Sequence, residues 1–252
     1  MITTDAPEAD MSLEKSLFLA RRRLHNVVSR HRWLFFLVNR FRRPEMLVDR
    51  ETDLVIEGFP RSANSFAEAA MRVSQVREIK LAHHTHASCQ ILRAAELSLP
   101  VLILFRDPDD AVASLLEMYD INVGSSFAYS EYVEFYEVVL RAREAFLLAH
   151  FTIVTSDFPR IINSLNERFK LNLANVEMTD EVAASIREEM DRNSQRYHAG
   201  RNERYSHAQS EAFKSERERR LRSIKSQLGE AGIWREKAHE IYRRLLDNTV
   251  LK

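Results

Sequence analysis

The run from Asp53 to Gln75, DLVIEGFPRSANSFAEAAMRVSQ, constrains the fold more than any other stretch. Three apolar residues, Leu54-Val55-Ile56, lead into Gly58-Phe59-Pro60 and then into the polar Arg61-Ser62-Ala63-Asn64-Ser65. Phe66, Ala69, Ala70 and Val73 follow at helical spacing. The pattern predicts a strand, a tight loop and a helix. A helix that starts straight after such a loop aims unpaired N–H groups and the positive end of its dipole into it. With the hydroxyls of Ser62 and Ser65 and the guanidinium of Arg61, the loop reads as a cradle for an anion, above all a phosphate. Taken alone, the same residues also suit an ordinary βα turn with Ser capping the helix. The loop is not the phosphate loop of nucleotide kinases and NTPases, because Arg stands in place of Lys and the second Gly is missing.

A second stretch repeats the arrangement. Pro100 to Phe105 is an apolar strand, followed by Arg106-Asp107-Pro108-Asp109-Asp110 and a helix with Ala111, Val112, Leu115, Leu116 and Tyr119 on one side. Asp107 suits the N-cap and Pro108 the first helical position. Arg106 therefore falls at the C-terminal end of a strand, where open α/β sheets bind ligands. Ser114 lies about two helical turns beyond it. Between the two stretches, Glu78 to Ala82 reads as another strand and runs into His83-His84-Thr85-His86. A metal site is not expected there. No carboxylate or Cys cluster stands at ligand spacing, and neighbours on an extended segment point to opposite faces.

These stretches resemble the sulfotransferases that use 3′-phosphoadenosine-5′-phosphosulfate (PAPS). The 5′-phosphosulfate loop of that family, P-[KR]-[ST]-G-[NT]-[ST]-[WF], is similar to Pro60-Arg61-Ser62-Ala63-Asn64-Ser65-Phe66. Its 3′-phosphate motif, Arg followed by [ND]-P-x-D and a Ser eight positions on, is matched by Arg106, Asp107 to Asp110 and Ser114. The resemblance runs from Asp53 to Tyr119. It implies PAPS as donor and adenosine 3′,5′-bisphosphate (PAP) as product. Arg61, Ser62, Ala63, Asn64 and Ser65 would hold the phosphosulfate, Phe66 would stack on adenine, and Arg106 and Ser114 would hold the 3′-phosphate. A basic loop near the C-terminus, Arg201 with Arg204, would cover that phosphate. His84-Thr85-His86 resembles the family's K-T-H, which implies His86 as general base and leaves His84, in the Lys slot, as its rival. Ala63 departs from the family's Gly, and a turn with positive φ at that position would tolerate Ala poorly.

Strands alternating with helices predict a central, mainly parallel sheet flanked by helices, with a helical C-terminal part. The resemblance makes this the P-loop nucleoside-triphosphate-hydrolase-like fold of sulfotransferase type. The chain of 252 residues reads as one domain, 1–252, with 1–50 a basic helical extension. Further elements are expected at Phe127 to Phe151 (helix), Thr152 to Thr155 (fourth strand), then helices to Phe169, Thr179 to Arg192, Ser206 to Gln227 and Glu230 to Asp247. The run Lys214 to Arg220 is expected to be a solvated face.

Formal net charge is zero, so no global field draws the chain to nucleic acid, and no recognised binding motif accompanies its local basic runs. A single cysteine, Cys89, forbids an internal disulfide. The N-terminal residues do not form a secretory signal or a membrane span, so a cytoplasmic protein is expected. Leu13 to Arg43 predicts a basic helix with no acid from Arg21 to Arg43. It would cover the sheet, contact a second subunit, or lie on the inner, anionic face of a membrane. The acceptor would be a small molecule, a glycan or a lipid. Two other functions suit the same residues: a non-catalytic nucleotide-binding or interaction protein of the same fold, and a nucleotide kinase or NTPase.

Overall fold

The computed structural model describes residues 16–17, 20–24, 26–29, 31–119, 124–198 and 211–252. It is an α/β protein with a four-stranded, all-parallel sheet in the order β2-β1-β3-β4. The strands are β1 (Leu54–Gly58), β2 (Leu81–His83), β3 (Val101–Phe105) and β4 (Leu147–His150). Helices are α1 (Arg32–Arg40), α2 (Asn64–Ser74), α3 (Ser88–Glu96), α4 (Pro108–Met118), α5 (Ser125–Arg141), α6 (Phe151–Ser156), α7 (Phe158–Phe169), α8 (Asp180–His198), α9 (Glu211–Gln227) and α10 (Ile233–Asp247).

Every residue of β1 and β3 is buried, as a parallel sheet covered on both faces requires. Alternate residues feed opposite cores. Val55, Val101, Ile103 and Phe105 pack toward α3, α4, α5 and α10. Leu54, Ile56, Leu102 and Leu104 pack toward α2, α6, α7 and α8. Gly58 ends β1 where the neighbouring strand comes too close for any side chain: a Cβ there would lie 2.4 Å from the Leu104 carbonyl oxygen.

From β1 the chain moves to β2 on one side and then returns to β3 on the other. The crevice at the C-terminal tips of β1 and β3 is thus the switch point of the sheet. The loop carrying Arg61 and the loop carrying Arg106 both open there.

Three expected elements differ. The fourth strand is Leu147–His150, inside the stretch read as a long helix, and the residues expected as that strand begin α6. An apolar run such as Phe146 to Ala149 suits either period, and pairing with β3 selects the strand. The β-branched Thr152 to Thr155 are helical because Val154 is buried against the sheet, and tertiary context overrides their propensity. The N-terminal helix is interrupted at His31 and ends at Arg40. Part of it does cover the core: Arg22 and Asn26 bond to Glu131 of α5 at 2.9 and 2.7 Å.

Candidate functional site

The first loop folds into a tight turn. Arg61 and Ala63 both take the left-handed conformation, φ 70°. Asn64 closes the turn by donating Nδ2 to the Phe59 carbonyl at 3.1 Å. Its side chain is therefore buried inside the loop and does not reach outward toward a ligand. Helix α2 starts at Asn64 without a side-chain cap, so its first N–H groups face the crevice rather than a Ser hydroxyl. The conformational objection to Ala63 is real: the position is left-handed, which costs an L-residue about 1–2 kcal/mol.

Arg61, Arg106 and Ser114 come together. Arg61 Nε donates to Ser114 Oγ at 2.9 Å, and Arg106 Nη1 donates to the Arg61 carbonyl at 3.2 Å. The Arg106 guanidinium lies over the Phe151 ring, 4.1 Å from its centroid. Its buried Nε makes no hydrogen bond among the described residues. Burial, with Arg217 nearby, holds Arg106 below the ordinary arginine range.

Two tyrosines of α5 fix these loops to the sheet. The Tyr136 hydroxyl accepts from the Phe59 N–H at 3.1 Å and donates to the Leu104 carbonyl at 2.7 Å. The Tyr132 hydroxyl donates to the Arg106 carbonyl at 2.9 Å. Asp107 caps α4, accepting from the Asp109 and Asp110 amides. Asp109 instead ties α4 to α10 through Arg235 at 2.6 Å and His239 at 2.9 Å.

The histidine segment is seated on Glu57, a residue the sequence reading passed over. Glu57 is fully buried in β1. It accepts from the Thr85 N–H and hydroxyl at 2.9 and 2.7 Å and from the His86 N–H at 2.9 Å. Burial pushes its carboxyl up to about 7 against these donors. A Glu inside an apolar strand was the available signal, because a buried carboxylate must be partnered. His86 Nδ1 lies 2.7 Å from the Gly58 carbonyl. A carbonyl only accepts, so Nδ1 carries a proton, and in the neutral ring Nε2 carries the lone pair.

His83 and His84 do not diverge as an extended segment would make them. His84 is left-handed, φ 54°, and the two Nδ1 atoms lie 2.8 Å apart. Both rings lie 3.3 Å from a carboxylate oxygen of Glu68 on α2. These three residues are spaced closely enough to hold a metal ion, so the geometric objection to one fails. The cation present in the cluster is Arg72, whose Nε donates to Glu68 Oε1 at 3.1 Å and whose Nη2 lies 3.5 Å from His83 Nε2. Burial, with Arg72, pushes His83 down to about 3, and burial pushes Glu68 up to about 7. His84 Nε2 reaches Ser65 Oγ at 3.1 Å, joining this cluster to the first loop.

Phe66 makes an edge contact with Phe158, ring centroids 6.1 Å apart, at the margin of the α2–α7 core. Ser62 is fully buried beside the Tyr136 hydroxyl. Arg201 and Arg204 lie outside the described residues. The C-terminal region instead brings in Arg217 of α9, whose Nη2 lies 3.4 Å from Ser114 Oγ. Arg217 and Arg220 also pair with the buried Glu117 of α4 at 3.2 and 2.7 Å. The run Lys214 to Arg220 is thus not merely a solvated face, since a buried acid across the helix pair turns two of its arginines inward.

A cavity of about 470 Å³ lies beside the first loop, its lining including His86, Phe59, Pro60 and Trp234. Searches of protein-family models and of curated proteins found no match to the chain.

Proposed function

We propose that the protein is a PAPS-dependent sulfotransferase with the P-loop type of α/β fold. The observation that carries this reading is the meeting of Arg61, Arg106, Arg217 and Ser114 at the β1/β3 switch point. The guanidiniums of Arg61 and Arg217 both bond the Ser114 hydroxyl, and that of Arg106 rests on the Arg61 carbonyl. Glu117 and Asp110 offset part of this charge, and the remainder favours a polyanion. A donor with phosphates at both its 3′ and 5′ positions supplies that charge at two places. Arg106, Ser114 and Arg217 take the 3′-phosphate. The N–H groups opening α2, with Ser65 and Arg61, take the phosphosulfate.

The chemistry is then mainly positioning and charge stabilisation. His86 Nε2 takes the proton of the acceptor hydroxyl. The acceptor oxygen forms a bond to sulfur as the bond from sulfur to the bridging oxygen breaks, giving a sulfate ester and PAP. Arg61 stabilises charge on the departing phosphate oxygen but, being permanently protonated, does not give up a proton. Glu57 and the Gly58 carbonyl keep the base in place and in the required tautomer. The acceptor enters the cavity beside His86. Its charged lining is balanced, Arg22, Arg141 and Lys237 against Glu131, Glu134 and Glu137. That favours an uncharged, hydroxyl-rich acceptor of the sugar type over an ionic one.

Calorimetry is the test. PAP should bind with clear preference over AMP and ATP, and equal affinity for the three would remove the donor assignment.

A further inference from the structure

We propose that the outward face of the N-terminal helical region docks on an anionic lipid bilayer. Helix α1 is apolar on two sides. Phe35, 1% exposed, packs inward with Ala87 and Cys89, and Phe36 meets it edge-on. Trp33, Leu37 and Phe41 are spaced four residues apart, so they share another face. They are 71%, 51% and 80% exposed. The helical residues before His31 repeat the pattern, with Leu24 and Val27 at 62% and 52% exposed.

Along the segment itself the charge is of one sign, and the acids nearest to it are already paired, Glu96 with Arg32 and Asp49, beside Trp33, with Lys80. No acid occurs from Arg21 to Arg43. Arg40, Arg42 and Arg43 are exposed around Phe41, and Arg21 and Arg23 beside Leu24. An apolar row rimmed by arginines places its aromatic and aliphatic groups at the acyl boundary and its cations at the lipid phosphates. Trp and Phe are suited to that depth. Among the described residues no helix is long and apolar enough to cross a membrane, so the segment lies on the bilayer rather than through it.

A second copy of the chain suits this face less well. A stable interface buries about 800 Å² per partner, more than one short row of side chains supplies. A two-fold contact would also bring two arginine-rich rims together. The inference is independent of the sulfotransferase reading, because it concerns no residue of the crevice.

The test is co-sedimentation of the full chain with vesicles. Pelleting is expected with phosphatidylglycerol-containing vesicles, not with phosphatidylcholine alone, and should fall as sodium chloride rises. Trp33→Ser with Phe41→Ser, and separately Arg40→Glu with Arg42→Glu, should each weaken partitioning about tenfold or more. These residues are exposed, so the variants should fold, and circular dichroism checks this. In a Trp234→Phe background, Trp33 emission should shift to the blue on adding anionic vesicles. Wild-type protein that stays in the supernatant overturns the proposal. So do variants that pellet like wild type, a concentration-dependent dimer lost in Trp33→Ser, or duplex DNA bound as tightly as vesicles.

Discussion

Arg106 rests on the backbone of Arg61: its Nη1 donates to the Arg61 carbonyl at 3.2 Å across two loops that follow different strands. The guanidinium of Arg61 in turn reaches Ser114 on the helix after Arg106. Each half of the proposed anion site is therefore built partly from the other, so the two loops are held in register with each other.

Arg217→Ala should weaken PAP binding by about tenfold or more, the range of a charge-assisted hydrogen bond. AMP, which lacks the 3′-phosphate, should bind with little change. Glu117 keeps Arg220 as a partner, so the fold should survive. Calorimetry with both nucleotides measures the difference, and an equal loss for AMP and PAP would place Arg217 elsewhere.

His86→Ala should abolish sulfate transfer while leaving PAP affinity nearly unchanged. His84→Ala should retain transfer at reduced rate, since His84 touches Ser65 of the donor loop. Radiolabelled donor with a panel of sugar, phenol and amine acceptors reads both variants. Activity kept in the first and lost in the second would move the base to His84.

Ala63→Gly should stabilise the protein by about 0.5–1 kcal/mol, because relief of the left-handed strain outweighs the extra freedom of the unfolded chain. Gly58→Ala should act in the opposite direction and more strongly, since its Cβ would meet a carbonyl oxygen at 2.4 Å. Urea midpoints compare the two.

His83 gives a signed pH dependence. Its folded pKa of about 3 lies below the ordinary 6.5 because burial disfavours the cation. The unfolded chain therefore binds the proton more readily, and the stability this group contributes is present above pH 6.5 and lost as pH falls toward 3. Glu68, raised from 4.5 to about 7, acts with the opposite sign: its contribution is present below 4.5 and lost as pH rises through 7. Arg72, His84, His86, Glu189 and Arg196 are further charged or titratable groups around the pair. His83→Gln removes the first effect and leaves Glu68 in place. Relative to wild type, the variant should gain stability steadily as pH drops from 6.5, followed by denaturant unfolding at a series of pH values. A constant difference would mean that His83 is not buried in the neutral form.

The strand-loop-helix units and the parallel sheet were legible because their signals are local. Apolar runs ending in Gly58 and Phe105, polar loops and helical spacing just afterwards lie within windows of about twenty residues, where periodicity is decisive. The second motif placed Asp107 at the cap it occupies. Elsewhere the local signal was ambiguous or pointed the wrong way. Phe146 to Ala149 suit either period, and only pairing with β3 made them a strand. Asn64 had the right residue type for a ligand group but turned inward to close its own loop.

The sequence by itself determined the order of elements, the two strand tips with their arginines, and the basic, amphipathic N-terminal region. Tertiary structure alone decided that Glu57 seats Thr85 and His86, that His83 and His84 converge on Glu68, and that Arg217 reaches Ser114 across 103 residues of chain. Short-range patterns are set by backbone geometry and side-chain period, which each window of sequence carries within itself. Contacts between distant segments arise only when burying the sheet on both faces brings those segments together, and buried polar groups then take whichever partners the packing puts within reach.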